Sequence, residues 1–273
     1  MADAATATST ASDISGRIAV RGLSVRRGDT QALRDVDMDV APGEMTVLLG
    51  RNGCGKSTLL RAIAGVLRPG AGTVEIGGVP RARLSARKAA RRLAFLPQAP
   101  ILPEGMRVRD LVAQGRHPHR GLVRHWSAAD DAAIERALRA TDVADFADRP
   151  LDALSGGQRQ RCWIAMTLAQ ETPILLLDEP TTWLDLAVQL DIMRLLARLA
   201  REGRTVLVVL HDLNLAAAFA DRIVMLREGR VDARGTPTEV MTEATLGRVF
   251  GLDAQVIADP RTGRPVCLPR IAA

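Results

Sequence analysis

Short apolar runs alternate with amphipathic segments along most of this chain. Thr46-Val47-Leu48-Leu49, Leu93-Ala94-Phe95-Leu96, Ile174-Leu175-Leu176-Leu177 and Thr205 to Leu210 (TVLVVL) are continuously apolar, the pattern of strands buried on both faces. Val36, Met38 and Val40 instead alternate with Asp35, Asp37 and Asp39. That period of two predicts a half-exposed sheet over Ala32 to Val40, with a second strand at Ile18 to Val25. A strand at Thr73 to Ile76 is ended by Gly77-Gly78, and Ile223 to Leu226 with Arg230-Val231 reads as a hairpin around Glu228-Gly229. Helical spacing governs Ser57 to Leu67, where Leu59, Leu60, Ile63 and Leu67 share a face. It returns at Val108 to Gln114, at Ala128 to Ala140 behind a Ser127/Asp130 capping box, in the stretch holding Cys162, Ile164, Ala165, Leu168 and Ala169, at Leu184 to Leu199, and at Glu243 to Phe250. Gly115 to Gly121 reads as a loop, and short strands are expected at Val256-Ile257 and Pro265-Val266-Cys267.

Strands alternating with helices imply an α/β fold whose parallel sheet is covered on both faces. The helical stretch from residue 99 to about residue 170 is an insertion into it. Ligands of such sheets gather at the carboxyl ends of the strands. Gly50, Gln98, Asp178 and His211 each follow an apolar strand directly, so four polar positions at four strand ends are candidates to converge on one nucleotide.

The first of these opens Gly50-Arg51-Asn52-Gly53-Cys54-Gly55-Lys56-Ser57-Thr58, a glycine-rich phosphate loop of the pattern G-x-x-x-x-G-K-[ST] between a strand and a helix. Backbone N–H groups and the helix N-terminus then point at one place, which suits an anion. The glycines let the backbone pass close to a phosphate where a Cβ would clash. Lys56 is placed to reach the β- and γ-phosphates, and the Ser57 hydroxyl to bind Mg²⁺. Asp178 is expected to hold the same Mg²⁺, and Glu179 beside it to act as general base for the attacking water. Gln98 is a candidate for Mg²⁺ or for that water, and His211 for donation to the γ-phosphate. A second anion cradle stands at Ser155-Gly156-Gly157-Gln158, where serine and glycines open another helix; alone it reads as an ordinary cap, Ser155 with Gln158 three residues on.

The 273 residues are 47% hydrophobic and 25% charged, enough for one large core or a core with an inserted subdomain. The first residues, MADAATATSTASDISG, have neither a basic start nor an apolar centre and read as a disordered tail rather than a signal peptide. The longest apolar runs are far short of a membrane span. Three cysteines, Cys54, Cys162 and Cys267, have no C-x-x-C spacing and suggest a reduced cytoplasmic setting. His117, His119 and His125 lack partners in metal-ligand spacing and read as loop histidines. Net charge is +6, but the arginines are spread along the chain rather than gathered into a nucleic-acid stripe. The one dense run, Arg81 to Arg92, reads as a solvated helix face, with contact to anionic lipid headgroups as the alternative.

Leu154-Ser155-Gly156-Gly157-Gln158 lies between a phosphate loop and Leu175-Leu176-Leu177-Asp178-Glu179, and in this order the motifs resemble those of ATP-binding cassette ATPases over nearly the whole chain after the tail. The resemblance implies a P-loop NTPase (RecA-like) core with an N-terminal antiparallel β subdomain and an inserted α-helical subdomain. The expected divisions are a tail at 1–16, the ATP-binding core with its β subdomain at 17–98, the helical signature subdomain at 99–170, the second part of the core at 171–231, and a C-terminal extension at 232–273. Together they make one transporter domain of about residues 18–255. It further implies a head-to-tail homodimer, each ATP lying between the Gly50–Thr58 loop of one copy and Ser155-Gly156-Gly157 of the other, with Asp185 as the interface aspartate. Where the family stacks an aromatic residue on adenine this chain, which has no tyrosine, carries Arg27; a guanidinium plane also stacks on a base.

Finer features, among them Gly115-Arg116-His117-Pro118-His119, GGQRQRCWIAMTLAQE, DEPTTWLDLAVQLDIMRLL and LHDLNLAAAFADRIVMLREGRV, resemble the branch that serves iron–siderophore, haem and cobalamin importers, the ferric enterobactin type above all. That implies transmembrane permease subunits as partners, coupling through the segment after Gln98. It also implies an indirect link to a periplasmic or surface siderophore-binding protein, a peripheral place on the cytoplasmic face of the inner membrane, and no nucleic acid. The alternatives are haem or cobalamin as cargo, or a soluble cassette acting on nucleic acid or ribosomes; those usually carry two cassettes or long coiled-coil arms. A regulator without hydrolysis is the third class, against which Glu179 and His211 stand.

Overall fold

The computed structural model describes residues 16–100, 104–120 and 126–270. The N-terminal tail before Gly16, and His125, lie outside the described residues.

In chain order, β1 (Ile18–Arg27) and β2 (Thr30–Val40) precede β3 (Met45–Leu49), which leads through the glycine-rich loop into α1 (Lys56–Ala64). β4 (Ala71–Ile76), β5 (Val79–Pro80), α2 (Ala86–Ala90) and β6 (Leu93–Leu96) follow. Three helices come next, α3 (Val108–Gln114), α4 (Ala128–Ala140) and α5 (Gly156–Ala169). The chain then alternates again: β7 (Ile174–Asp178), α6 (Leu186–Arg201), β8 (Thr205–Val209), α7 (Leu213–Phe219), β9 (Arg222–Arg227) and β10 (Arg230–Gly235). It closes with α8 (Pro237–Val240), α9 (Glu243–Phe250) and the hairpin β11 (Ala254–Ala258) and β12 (Pro265–Pro269).

Among the described residues, two large sheets organise the strands β1 to β10, and β11 and β12 pair only with each other. β2-β1-β4-β5 form an antiparallel sheet of four, and β10-β9-β3-β8-β7-β6 a sheet of six. Within the larger sheet β9, β3, β8, β7 and β6 run parallel, and β10 closes the edge antiparallel to β9. The continuous apolar runs follow from this position. Leu175 and Leu177 of β7, with Val206 and Val208 of β8, enter one core with the helices α3 to α6. Ile174, Leu176, Leu207 and Val209 on the opposite face enter a second core with α1 and the antiparallel sheet. A strand covered on both sides has no place for a polar residue. β2 has one covered face, and its Val36, Met38 and Val40 are buried while Asp35, Asp37 and Asp39 are exposed.

Some boundaries differ from the sequence pattern. α1 ends at Ala64, short of Leu67, because Gly65 takes the left-handed conformation (φ 77°) and its N–H bonds back to Ala62 O. α6 starts two residues late because Asp185 caps it, its Oδ1 accepting from Val188 N at 3.0 Å. The basic run is not one solvated helix face. Arg81–Arg83 form a 3-10 turn before α2, Arg81 donates to Ala64 O and Leu84 O, Arg92 to Ile76 O, and Arg87 and Arg91 both to Pro118 O. Much of that charge therefore satisfies carbonyls at helix and strand ends. The expected loop at Gly115 to Gly121 contains a 3-10 turn at His117–His119, and His119 Nε2 meets Gln170 O at 2.8 Å.

Arg116, almost fully buried, holds the three inserted helices to the sheet. Its Nε donates to Asp130 Oδ1 at 3.0 Å, and one terminal nitrogen donates to Ala169 O and to Glu171 Oε2, both at 2.7 Å. Asp130 also closes the capping box of α4, its Oδ2 accepting from Ser127 N and Oγ.

Candidate functional site

The glycine-rich loop owes its shape to backbone crowding. Gly50 has φ 146°, and a Cβ there would stand 2.3 Å from Leu226 O. Gly55 has φ 110°, and a Cβ there would stand 2.7 Å from Ala32 O. The loop is thus pressed between β9 and β2 at places where only hydrogen fits. Lys56, 5% exposed, turns its Nζ onto Gly50 O at 2.7 Å and Arg51 O at 3.2 Å. Those partners are neutral carbonyls, so a buried ammonium sits in an anion-shaped loop with its charge unmatched by the bonds it makes.

Across the loop, Ser57 Oγ donates to Asp178 Oδ1 at 2.9 Å. Asp178 is 1% exposed, and its Oδ2 is buried without a partner. Burial raises the Asp178 pKa, the Ser57 hydrogen bond opposes that, and the neighbouring Glu179 charge adds to it. An orphaned carboxylate oxygen beside a hydroxyl is a hard-oxygen donor set that fits a hydrated Mg²⁺ shared with phosphate.

Glu179 follows on a left-handed backbone, φ 54°, a conformation costing a residue with a Cβ about 1 kcal/mol or more. Its carboxylate is gripped on both oxygens. His211 Nε2 lies 2.5 Å from Oε1; Gln98 Nε2 donates to Oε2 at 2.6 Å, and Thr182 Oγ1 to the same oxygen at 3.1 Å. Glu179 and Gln98 extend from neighbouring parallel strands, and His211 from the next strand on the other side.

Lys56, Ser57, Gln98, Glu179, Thr182 and His211 face one open cleft of 1080 Å³, while Asp178 is not in its lining and reaches it only through the Ser57 hydroxyl. Of the positions expected to hold nucleotide or act on it, Arg27, Asn52, Gly53, Gly55, Lys56, Ser57, Thr58, Gln98, Glu179 and His211 line it. Gly50 and Arg51 do not line it; their carbonyls accept from Lys56, which does. Cys54 does not line it: the side chain points into the core beneath the loop, and burial pushes its thiol pKa up. Ser155, Gly156, Gly157, Gln158 and Asp185 are not in its lining either. Ser155 and Gln158 form a reciprocal capping box on α5, and a Cβ at Gly157 would touch Val188 Cγ1 of α6 at 3.1 Å. Sequence reasoning missed Gln31, Arg34, Thr182, Trp183 and the Glu228-Gly229 turn as lining residues. Trp183, a tryptophan in the short turn between Asp178-Glu179 and the Asp185 cap, is the legible signal among them.

A family model described as ABC transporter matches residues 33–182. The iron(3+)-hydroxamate import ATP-binding protein FhuC of Bacillus subtilis is 47% identical, covering 90% of this chain and 92% of its own length. The ferric enterobactin transport ATP-binding protein FepC of Escherichia coli K12 is 43% identical over the same shares. The hemin import ATP-binding protein HmuV of Rhodococcus jostii is 46% identical, with 94% and 88% covered. Among solved structures, a transporter described as metal-chelate type, in an inward-facing conformation, superposes with a TM-score of 0.81 at 29% identity, over 94% of this chain and 98% of that one. A dimeric bacterial ABC transporter cassette superposes with a TM-score of 0.71 at 30% identity, over 80% and 98%.

Proposed function

This chain belongs to the ABC transporter family, and from that premise we propose that it drives uptake of a ferric siderophore as the ATP-hydrolysing subunit of an importer. The ATPase role in an importer follows from the family and from relatives that are import ATP-binding proteins along almost their whole length. The cargo class rests on the relatives named for ferric hydroxamate and ferric enterobactin. The similar identity to a hemin importer subunit favours haem as the second reading.

Within the site, Lys56 leaves the carbonyls of Gly50 and Arg51 to neutralise the β- and γ-phosphates. Gly50 to Thr58 supply backbone N–H groups, and Arg27 stacks on the base. Ser57 and Asp178 hold Mg²⁺, assisted by Gln98; the ion, when bound, offsets charge on the phosphate oxygens. Glu179 accepts the proton of the water that attacks the γ-phosphorus while the bond to ADP breaks. His211 orients that carboxylate and donates to the γ-phosphate. Ser155-Gly156-Gly157, with Gln158 capping behind them, complete the site of a second copy, and Asp185 lies at the contact. The dimeric cassette of like fold supports this pairing.

The observation that carries the hydrolytic reading is the Glu179 carboxylate, fixed at the cleft by His211, Gln98 and Thr182. No helix among the described residues is long and apolar enough to cross a membrane. By analogy with the import ATP-binding relatives, the chain is placed at the cytoplasmic face on permease subunits, which receive cargo from a separate binding protein. Deleting the gene should abolish uptake of radiolabelled iron presented as a siderophore complex. The wild-type chain should restore uptake and Glu179→Gln should not. Uptake of haem but not ferric siderophore would transfer the reading to haem, and unimpaired uptake of both would refute the importer role.

A further inference from the structure

His211 is held at Glu179 by the chain on either side of it, because 41% of its side chain stays exposed and burial alone does not fix the ring. Before it, Leu210 is buried and its N–H bonds to Leu48 O at 3.3 Å. After it, Asp212 caps α7, its Oδ1 accepting from Asn214 N and Leu215 N, both at 2.8 Å. α7 has 7 residues, and a helix shorter than about 12 residues is marginal by itself. This one is tied at both ends to the C-terminal hairpin. Near its start, Asn214 Oδ1 accepts from Cys267 N at 2.8 Å and Asn214 Nδ2 donates to Cys267 O at 3.2 Å. At its end, one terminal nitrogen of Arg264 donates to Ala217 O at 2.9 Å and Ala220 O at 2.8 Å. Between the ties, Ala216, Ala217 and Ala220 share a core with Ala254 and Cys267.

We infer that Asn214 is a positioning residue for hydrolysis: by pairing with the Cys267 peptide it braces α7 against the C-terminal hairpin and so holds His211 on Glu179. The inference rests on the role proposed above for His211 and adds what sets that side chain in place. A planar amide that bonds both polar groups of one peptide fixes direction as well as distance, which apolar packing alone does not. Arg264 fixes the other end by satisfying carbonyls that a helix terminus leaves free. Neither hairpin strand pairs with any other strand among the described residues, and a lone two-stranded hairpin is marginally stable, so α7 and the hairpin hold each other. Asn214 is not in the lining of the cleft, and neither is any residue from 254 to 269. Their effect on the reaction therefore passes through the helix that begins directly after His211-Asp212.

The test is single-turnover phosphate release by the full chain at saturating Mg·ATP. Asn214→Ala should lower the rate roughly 10-fold, the size of loss that a slightly misplaced group brings, with ATP affinity unchanged. The chain has 4 histidines, so the His211 imidazole can be followed by NMR and identified by its absence from His211→Ala. Its resonance should shift or broaden in Asn214→Ala while the others stay. In a His211→Ala background, Asn214→Ala should cost nothing further, because groups that act as one unit are not additive. Should Asn214→Ala fail to fold, Asn214→Asp has the same size and keeps an acceptor for the Cys267 N–H; lacking only the donor, it should fall between wild type and the full loss. A wild-type rate in these variants, or a His211 resonance that does not move, would overturn the brace and leave His211 in its role. An equal fold-loss in the His211→Ala background would overturn it too, by showing that Asn214 acts elsewhere. Full-rate hydrolysis by His211→Ala itself would overturn both the role of His211 and the brace.

Discussion

Ser57 Oγ and Asp178 Oδ1 are 2.9 Å apart although the residues stand 121 positions apart in the chain. One lies on the first turn of α1 and the other at the end of β7, so the sheet order is what unites them. The second Asp178 oxygen is left buried without a partner.

That arrangement stores instability in the nucleotide-free chain. The Asp178 pKa is raised, by burial first, so the folded chain binds the proton more readily than the unfolded one. Stability is then fullest below the ordinary aspartate range and falls as pH rises through the raised value. Asp178→Asn should remove that fall. At pH 7 without nucleotide it should be more stable than wild type by on the order of 1 kcal/mol, seen as a higher thermal midpoint, and the two should converge near pH 3. Calorimetry across pH checks this, and Mg²⁺-dependent hydrolysis should be lost.

Glu179 is held by three side chains, and their removal should separate their roles. Glu179→Gln should retain Mg·ATP binding and lower turnover by roughly 10²–10⁴-fold, the usual worth of a positioned base. Thr182→Val should lower turnover less, because Gln98 still occupies the same oxygen. Single-turnover phosphate release measures both.

The parallel sheet, the crowded glycine loop and the Ser155/Gln158 cap were legible in the sequence because they depend on local signals. Apolar runs mark doubly covered strands, Gly50 and Gly55 mark tight backbone, and Ser155 with Gln158 marks a cap. What was not legible depends on distant contacts. Gly65 ends α1 early although Leu67 continues the apolar spacing. The arginines of the basic run look solvated until Ala64, Ile76 and Pro118 place carbonyls beside them. The Glu228-Gly229 turn enters the cleft only because Gly229 bonds to the phosphate loop and β2, through Cys54 O and Arg34 N.

Replacing glycine in the loop should be costly for folding as well as binding. At Gly55 an added methyl meets the backbone carbonyl of Ala32 at 2.7 Å on a left-handed backbone. Neither the strand nor the φ angle yields cheaply, so Gly55→Ala should destabilise by about 2 kcal/mol or more. At Gly53 a Cβ meets nothing within 4 Å and only the positive φ opposes it, so Gly53→Ala should cost less. Urea unfolding of the two variants without nucleotide tests the order.

Cys54 sits inside the phosphate-loop motif, which suggests a thiol that ATP would shield from alkylation. The structure corrects that. The side chain is 7% exposed and packs in the core, and burial raises its pKa, which removes the reactive thiolate. Cys162 is fully buried, its thiol pushed up to about 12. N-ethylmaleimide should therefore label either cysteine only as the chain unfolds, at a rate set by denaturant. Fast labelling of Cys54 in the native chain, blocked by ATP, would show the thiol at the cleft after all.

The buried pair Arg116–Asp130 should decide the acid stability of the helical insertion. The Asp130 carboxyl is held below the usual range by the Ser127 hydroxyl first; burial opposes this, and Arg116 lowers it further. A depressed pKa means the stabilisation is complete above the ordinary aspartate value and disappears as pH falls through the lowered one. Asp130→Ala removes it at every pH and leaves the Arg116 guanidinium with Ala169 O and Glu171 alone. Because the buried guanidinium keeps Glu171 but loses one of its two carboxylates, the loss at pH 7 should be about 2–3 kcal/mol. The gap to wild type should narrow as pH drops below the aspartate range, since wild type then loses the same contribution. The apolar face of α1, which carries Lys56 and Ser57, packs in a different core from those of α3 and α4, so ADP affinity measured by calorimetry on the folded variant should stay unchanged. A variant as stable as wild type at pH 7 would mean that Glu171 alone satisfies Arg116.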